Sequence, residues 1–221
     1  MNIPLQSFFT PESIEAESFA IIDREVGPDR PFTGRAWEVA RRLVHTTADF
    51  SILEHLILPG AAIDAGIAAL HRGAPVFVDT EMARHGMTRR HLEPLNIVPE
   101  CILTIPGTLE RAKEHGVTRS RAGMELALPR LGGAIVAVGN APTALLALLE
   151  HLQQGVPAPA LVIALPVGFV NARESKDLFL QYCAESPHAP ACIALRGRKG
   201  GSTLTAATVN ALAKLAMRSR A

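Results

Sequence analysis

Aromatic residues make up only 5% of the sequence, with a single Trp and a single Tyr, so its core has to be assembled from Ala, Leu, Ile and Val. Cysteine is nearly as scarce. Cys101, Cys183 and Cys192 form an odd set with no C-x-x-C spacing, and their apolar settings make them reduced, buried small hydrophobes rather than disulfide or zinc partners. Long hydrophobic runs are missing, because Arg, Glu, His or Gly interrupts each one short of a membrane span. The opening Met1-Asn2-Ile3-Pro4, soon followed by Glu12 and Glu15, does not read as a signal peptide. A cytoplasmic protein with no membrane partner is the expectation. Charge excess is missing too: 22 basic against 21 acidic residues leave a formal net charge of +1, which argues against nucleic acid as a partner and against a disordered polyelectrolyte. One local absence breaks that balance. No acidic residue follows Glu185, while Arg196, Arg198, Lys199, Lys214, Arg218 and Arg220 are all basic.

Several chemistries lack their motifs. There is no H-E-x-x-H, no G-x-S-x-G elbow, no Walker A order and no G-x-G-x-x-G. Asp79 and Glu81 could begin a metal shell, but nothing near them in sequence would complete it, so metal catalysis is not expected.

What is present is an alternation of apolar runs with helical segments. Pro75–Asp79, Cys101–Ile105, Ala134–Val138, Leu161–Ala164 and Cys192–Leu195 read as strands without polar alternation, as strands covered on both faces should be. Pro11–Val26, Arg35–Thr47, Ala141–Gln154, Glu174–Glu185 and Ser202–Met217 read as helices. The pattern predicts one α/β domain over residues 1–221: a doubly wound, mainly parallel sheet with helices on both faces and the N-terminal helices packed on it.

Ligands of open α/β sheets bind beyond the carboxyl ends of strands, and four segments qualify. Gly139-Asn140-Ala141-Pro142-Thr143 runs from a strand into a helix and offers either an anion cradle or a plain junction capped by Asn140. Gly197 to Thr203 combines glycines, Arg198 and Lys199 with a helix start, as an anion cradle or a solvated basic turn. Pro166 to Asn171 forms an apolar loop before Glu174-Ser175-Lys176, where ordinary capping competes with a ligand wall. Arg41 and His45 lie one helical turn apart, either as an anion clamp beside an acid/base group or as structural residues.

Taken together, the chain resembles the precorrin-8X methylmutase (precorrin isomerase) family of corrin biosynthesis. The resemblance rests on Glu17 to Ile22, Val44 to Phe50, Asp79 to Met82, Thr118 to Ser120, Val138 to Leu145, Pro166 to Asn171 with Glu174 to Lys176, and Gly197 to Ser202, in the family's order across about residues 10–215. It implies a cofactor-free isomerase that moves a methyl group from carbon 11 to carbon 12 of a corrin precursor, working as a homodimer with tetrapyrrole sites at the interface. It also implies His45 as the acid/base, with Ser18, Arg42, Thr80 and Arg119 lining the site. The helix starts, with Asn140, Arg198, Lys199 and Ser202, would take the precursor's rim of carboxylates through N–H groups and charge. Arg218 and Arg220 would belong to a solvated tail. With few aromatics, the flat face of the macrocycle would meet aliphatic and glycine-rich walls.

Details of the His45, Asp79 and Gly168 segments resemble the anaerobic branch, favouring cobalt-precorrin-8 over metal-free precorrin-8X. The chain departs from the family's pattern at Ile105-Pro106-Gly107, at Glu81 and at Ala172-Arg173. These departures bear on the branch more than on the reaction. Two other readings compete: a non-enzymatic tetrapyrrole carrier, which would have no use for the His45 segment, and a phosphate- or nucleotide-binding protein, which the missing Walker order disfavours.

Overall fold

The computed structural model describes residues 10–220, so the expectation drawn from Met1 to Pro4 lies outside the described residues. Helices α1 (Pro11–Val26), α2 (Gly34–Thr47) and the short α3 (Ile52–His55) precede the first strand, β1 (Leu56–Ile57). Then come α4 (Gly60–His71), β2 (Val76–Val78), α5 (Glu81–Gly86), α6 (Arg89–Leu92), β3 (Glu100–Cys101), α7 (Thr108–His115) and α8 (Arg119–Ala127). The remainder alternates β4 (Ile135–Val138), α9 (Pro142–Gln153), β5 (Leu161–Ala164), α10 (Ala172–Glu185), β6 (Ala191–Leu195) and α11 (Ser202–Arg220).

The sheet is six-stranded, in the order β1-β6-β5-β4-β2-β3. All its pairings are parallel except the short edge β1, which runs antiparallel to β6 through Leu56 and Leu195. The expected doubly wound arrangement is present, and its physical basis is visible in the strands. Val76, Val78, Ile135, Ala137, Leu161 and Ile163 face a core shared with α2, α4 and α11, while Phe77, Val136, Val138, Val162 and Ala164 face one shared with α8, α9 and α10. Successive side chains point to opposite faces, so two apolar cores require uninterrupted apolar strands. The first helix packs on α2 through Phe19 and Ile22, and the Trp37 indole N–H donates to Asp23 at 2.6 Å.

Three expectations need correction. The run Cys101–Ile105 is a strand only up to Cys101, and Ile102–Thr104 turns into a 3-10 helix. The reason is that Gly123 of α8 sits on the Ile102 carbonyl, where a Cβ would approach to 2.3 Å, and Thr108 donates to that same oxygen. No room is left for a continuing ladder. The final helix runs on through Arg220 and Arg218 pairs with Glu38, so the C-terminal cations ride on a packed helix instead of a solvated tail. Cys101 and Cys192 are buried, whereas Cys183 is only half-buried, its thiol 3.8 Å from the Pro190 carbonyl; none of the three is in a disulfide. Among the described residues no helix is long and apolar enough to cross a membrane, and no three His, Cys, Asp or Glu side chains gather as a metal-binding group.

Candidate active site

From β2 the chain winds outward to β3, and from β4 it winds the other way through β5 and β6, so the topological switch falls between the adjacent strands β2 and β4. A crevice at the carboxyl ends of two such strands is where this architecture ordinarily receives a ligand. Here the protein's own carboxylate fills it. Asp79, the residue after β2, is 1% exposed and accepts the N–H groups of Gly139 (2.9 Å), Asn140 (2.7 Å) and Ala141 (2.6 Å). Burial raises its pKa above the ordinary carboxylate range, against the three N–H bonds that favour the ionised form. The backbone cradle expected at Gly139–Thr143 is therefore already engaged. Asn140 offers only an exposed side chain, and Ala141, not Asn140, occupies the cap of α9.

Next to this plug lies the Gly197–Ser202 loop, and its glycines are there for close approach. A Cβ on Gly200 would come within 2.0 Å of the Leu165 carbonyl, and Gly201, at φ +126°, donates its N–H to the same oxygen. The loop is held from beneath by Lys176. This fully buried side chain donates from Nζ to the Lys199 carbonyl at 2.8 Å, and burial pushes its pKa down to about 8. Ser175, also buried, donates to the Ala172 carbonyl, so the Glu174–Lys176 segment lies inside α10, with Ser175 and Lys176 buried instead of merely opening it.

The candidate side chains fall into two groups. Thr80 and Ser202 hydroxyls meet at 2.8 Å, with Thr80 also capping α5. Lys199 reaches Asp49 and Ser51, and its hydrogen bond holds the Asp49 carboxyl down to about 2. On the last turn of α2, the half-buried His45 stands edge-on to Phe19 with ring centroids 5.4 Å apart. The guanidinium groups of Arg41 and Arg42 cover the same Phe19 ring at 4.3 and 4.7 Å. Arg41 shares that face with His45 as its spacing requires, but Asp23 already pairs with it, and Glu15 pairs with Arg42. Ser18 donates to the Ile14 carbonyl within α1, beside Phe19.

Arg119 is not brought to this cluster. It stands exposed at the start of α8, on the opposite side of the sheet from α2, with no ion pair among the described residues. Thr118 beside it bonds Thr143 and so ties the starts of α8 and α9 together. Arg198 lies over the ring of Phe169, 5.3 Å from its centroid, and Phe169 is 84% exposed. With Arg173, Arg196 and Lys199, Arg198 lines a cleft of about 890 Å³ beside β6.

Asp79 and Lys176 were missed as organisers of this end of the sheet. Lys176 could have been found, because Ala172, Lys176 and Phe179 share one face of α10 at helical spacing. The partnering of Arg42 with Glu15 and of Lys199 with Asp49 spans distances along the chain for which sequence carries no signal.

The doubly wound fold and the polar groups gathered along the carboxyl ends of its strands define an α/β enzyme. The precorrin-8X methylmutase family profile matches residues 13–215, and the chain belongs to that family. A precorrin-8X methylmutase from Sinorhizobium sp is 42% identical over 202 residues, covering 91% of this chain and 93% of that one. A cobalt-precorrin-8 methylmutase from Priestia megaterium is 37% identical, covering 93% and 88%. Among solved structures, precorrin-8x methyl mutase from Thermus thermophilus has a TM-score of 0.83 at 39% identity, covering 94% of this chain and 98% of that chain. The family resemblance and the doubly wound α/β fold read from the strand–helix pattern are both borne out.

Proposed function

We propose that this protein is an isomerase of cobalamin biosynthesis that moves a methyl group from carbon 11 to carbon 12 of a corrin precursor, with His45 as the acid/base. The observation that carries this reading is the setting of His45: half-buried at the end of α2 and edge-on to Phe19, whose ring the Arg42 guanidinium also covers. A migration within one molecule needs no external nucleophile. It needs a group that gives a proton to the conjugated ring as the methyl moves and then holds the product tautomer, and an imidazole is suited to that near neutral pH. Ser18, Thr80 and Ser202 supply hydroxyl donors, and Arg42, Arg119, Arg198 and Lys199 supply charge for the precursor's carboxylates. Asn140 adds an exposed amide at the same end of the sheet.

The reading includes a homodimer with the site between subunits. Arg119 lies on the far side of the sheet from His45, so a second copy would bring the two groups to one macrocycle. Exposed Met82, Phe169 and Val170 at this end of the sheet give such a contact an apolar component. Relatives carry names for both the cobalt-containing and the metal-free precursor; the motif details favour cobalt-precorrin-8, with cobalt as part of the substrate. The test is incubation of the pure protein with each precursor while the visible spectrum is followed. Appearance of the corrin chromophore supports the reading and identifies the branch. Tight binding of both precursors without conversion overturns it in favour of a carrier.

A further inference from the structure

A groove of about 340 Å³ opens between α2, α6 and α11, with Thr46, the residue after His45, at one wall and Thr203, next to Ser202, at another. Its lining carries three cations, Arg42, Arg90 and Lys214, against one carboxylate, Glu15. That carboxylate shows what the groove accepts. Glu15 bonds Arg42 and, at 3.3 Å, Lys214; burial works against its ionisation, yet the two cations together hold its pKa below the ordinary value. Arg90 has no carboxylate partner among the described residues.

The fourth polar group is His91. Its Nδ1 is buried and has no hydrogen-bond partner among the described residues. Burial pushes the imidazole's pKa down, and so do Arg90, Lys214 and Arg42, with Glu15 acting the other way. The ring is therefore neutral near pH 7 and retains an N–H donor without adding charge. A buried donor or acceptor left unmatched costs free energy, so a ligand that engages it gains what the free protein forgoes.

We infer that this groove is a carboxylate-binding subsite, in which Arg42, Arg90, His91 and Lys214 take one anionic side chain of a ligand whose body lies over His45 and Ser202. Glu15 occupies part of it and yields or shares Arg42 when the ligand carboxylate enters. The inference rests on the functional reading above for the ligand's identity, and on the groove itself for its chemistry.

Two measurements separate the two. The full chain is titrated with glutarate, with inorganic phosphate and with sodium chloride at matched ionic strength, while the imidazole resonances of His91 are followed by 1H–15N NMR. Glutarate shifts them saturably and chloride does not, and Arg90→Gln or Lys214→Gln weakens that binding about fivefold. An unmoved His91, an equal response to chloride, or a response to phosphate but not to glutarate overturns the subsite. In the conversion assay, Arg90→Gln raises KM for the precursor about fivefold, with a smaller change in kcat. Turnover by a wild-type protein whose His91 ignores glutarate removes the subsite and leaves the function standing. Glutarate binding without any turnover does the reverse.

Discussion

Lys176 buries its ammonium beneath the Gly197–Ser202 loop, 2.8 Å from the main-chain carbonyl of Lys199, with no ion pair to a carboxylate among the described residues. Its pKa is depressed from 10.5 to about 8, so in that interval the unfolded chain binds a proton that the folded chain does not. Stability then rises with pH across the window.

The wild-type protein is therefore expected to gain stability relative to Lys176→Met between pH 8 and 10.5, by on the order of 3 kcal/mol over the full window. Urea denaturation of both proteins across that range checks it. A wild-type-minus-variant difference that stays flat means the lysine is not depressed.

Removing Asp79 strips the acceptor from three N–H groups at once. Asp79→Ala is expected to lose about 3 kcal/mol of stability. Asp79→Asn should recover little of it, because its NH2 meets another donor. Full recovery by Asn in thermal melts would show that a neutral acceptor suffices there.

Asp49 titrates near 2 because Lys199 and Ser51 hydrogen-bond its carboxylate. A depressed carboxylate contributes stability above its ordinary pKa of 3.8 and loses it as pH falls toward 2. Carbon-13 NMR should place the Asp49 carboxyl near 2 in the wild type and higher, though still below 3.8, in Lys199→Met, where the two Ser51 hydrogen bonds remain. An unchanged value would mean that Lys199 does not hold it.

His45→Ala should fold and bind product while its turnover falls about a hundred- to ten-thousand-fold. Arg119→Ala should bind precursor more weakly, and the contribution of Arg119 should fade as salt rises. Mixing the two variants, at a precursor concentration too low for Arg119→Ala to turn over, tests the subunit arrangement. If each site takes His45 from one copy and Arg119 from the other, random reassociation restores about a quarter of the wild-type sites. Absence of any recovery in subunit-exchanged mixtures places both residues in the same chain's site, or in no shared site.

Much of the architecture was legible because two covered faces force unbroken apolar strands, and Ala134–Val138 and Leu161–Ala164 show that signal undiluted. The segment after Cys101 misled because the same apolar residues serve a turn, where Gly123 crowds the Ile102 carbonyl. The two-residue strand β1 is too short to show any period, and the helices α4 to α8 were not picked out. Among site residues, the pairing of Thr80 with Ser202 joins two motifs that sequence leaves far apart. Lys199 was legible as a cation at a helix start. Its engagement with Asp49 was not, since partner choice depends on where the end of α2 falls against the last loop.

The carboxylate of Asp79 also decides which foreign molecules the protein ignores. The position at which a mononucleotide's phosphate would enter a fold of this kind is already filled by the Asp79 carboxyl group, with the three N–H donors engaged. Phosphate mimics, the usual first probes for such a sheet, would meet no free N–H there. On the functional reading proposed above, an inhibitor would be a broad, several-pronged acid bound at the rim outside this carboxyl group. Selectivity over the nucleotide-binding proteins that share its architecture is then built in before any chemistry begins.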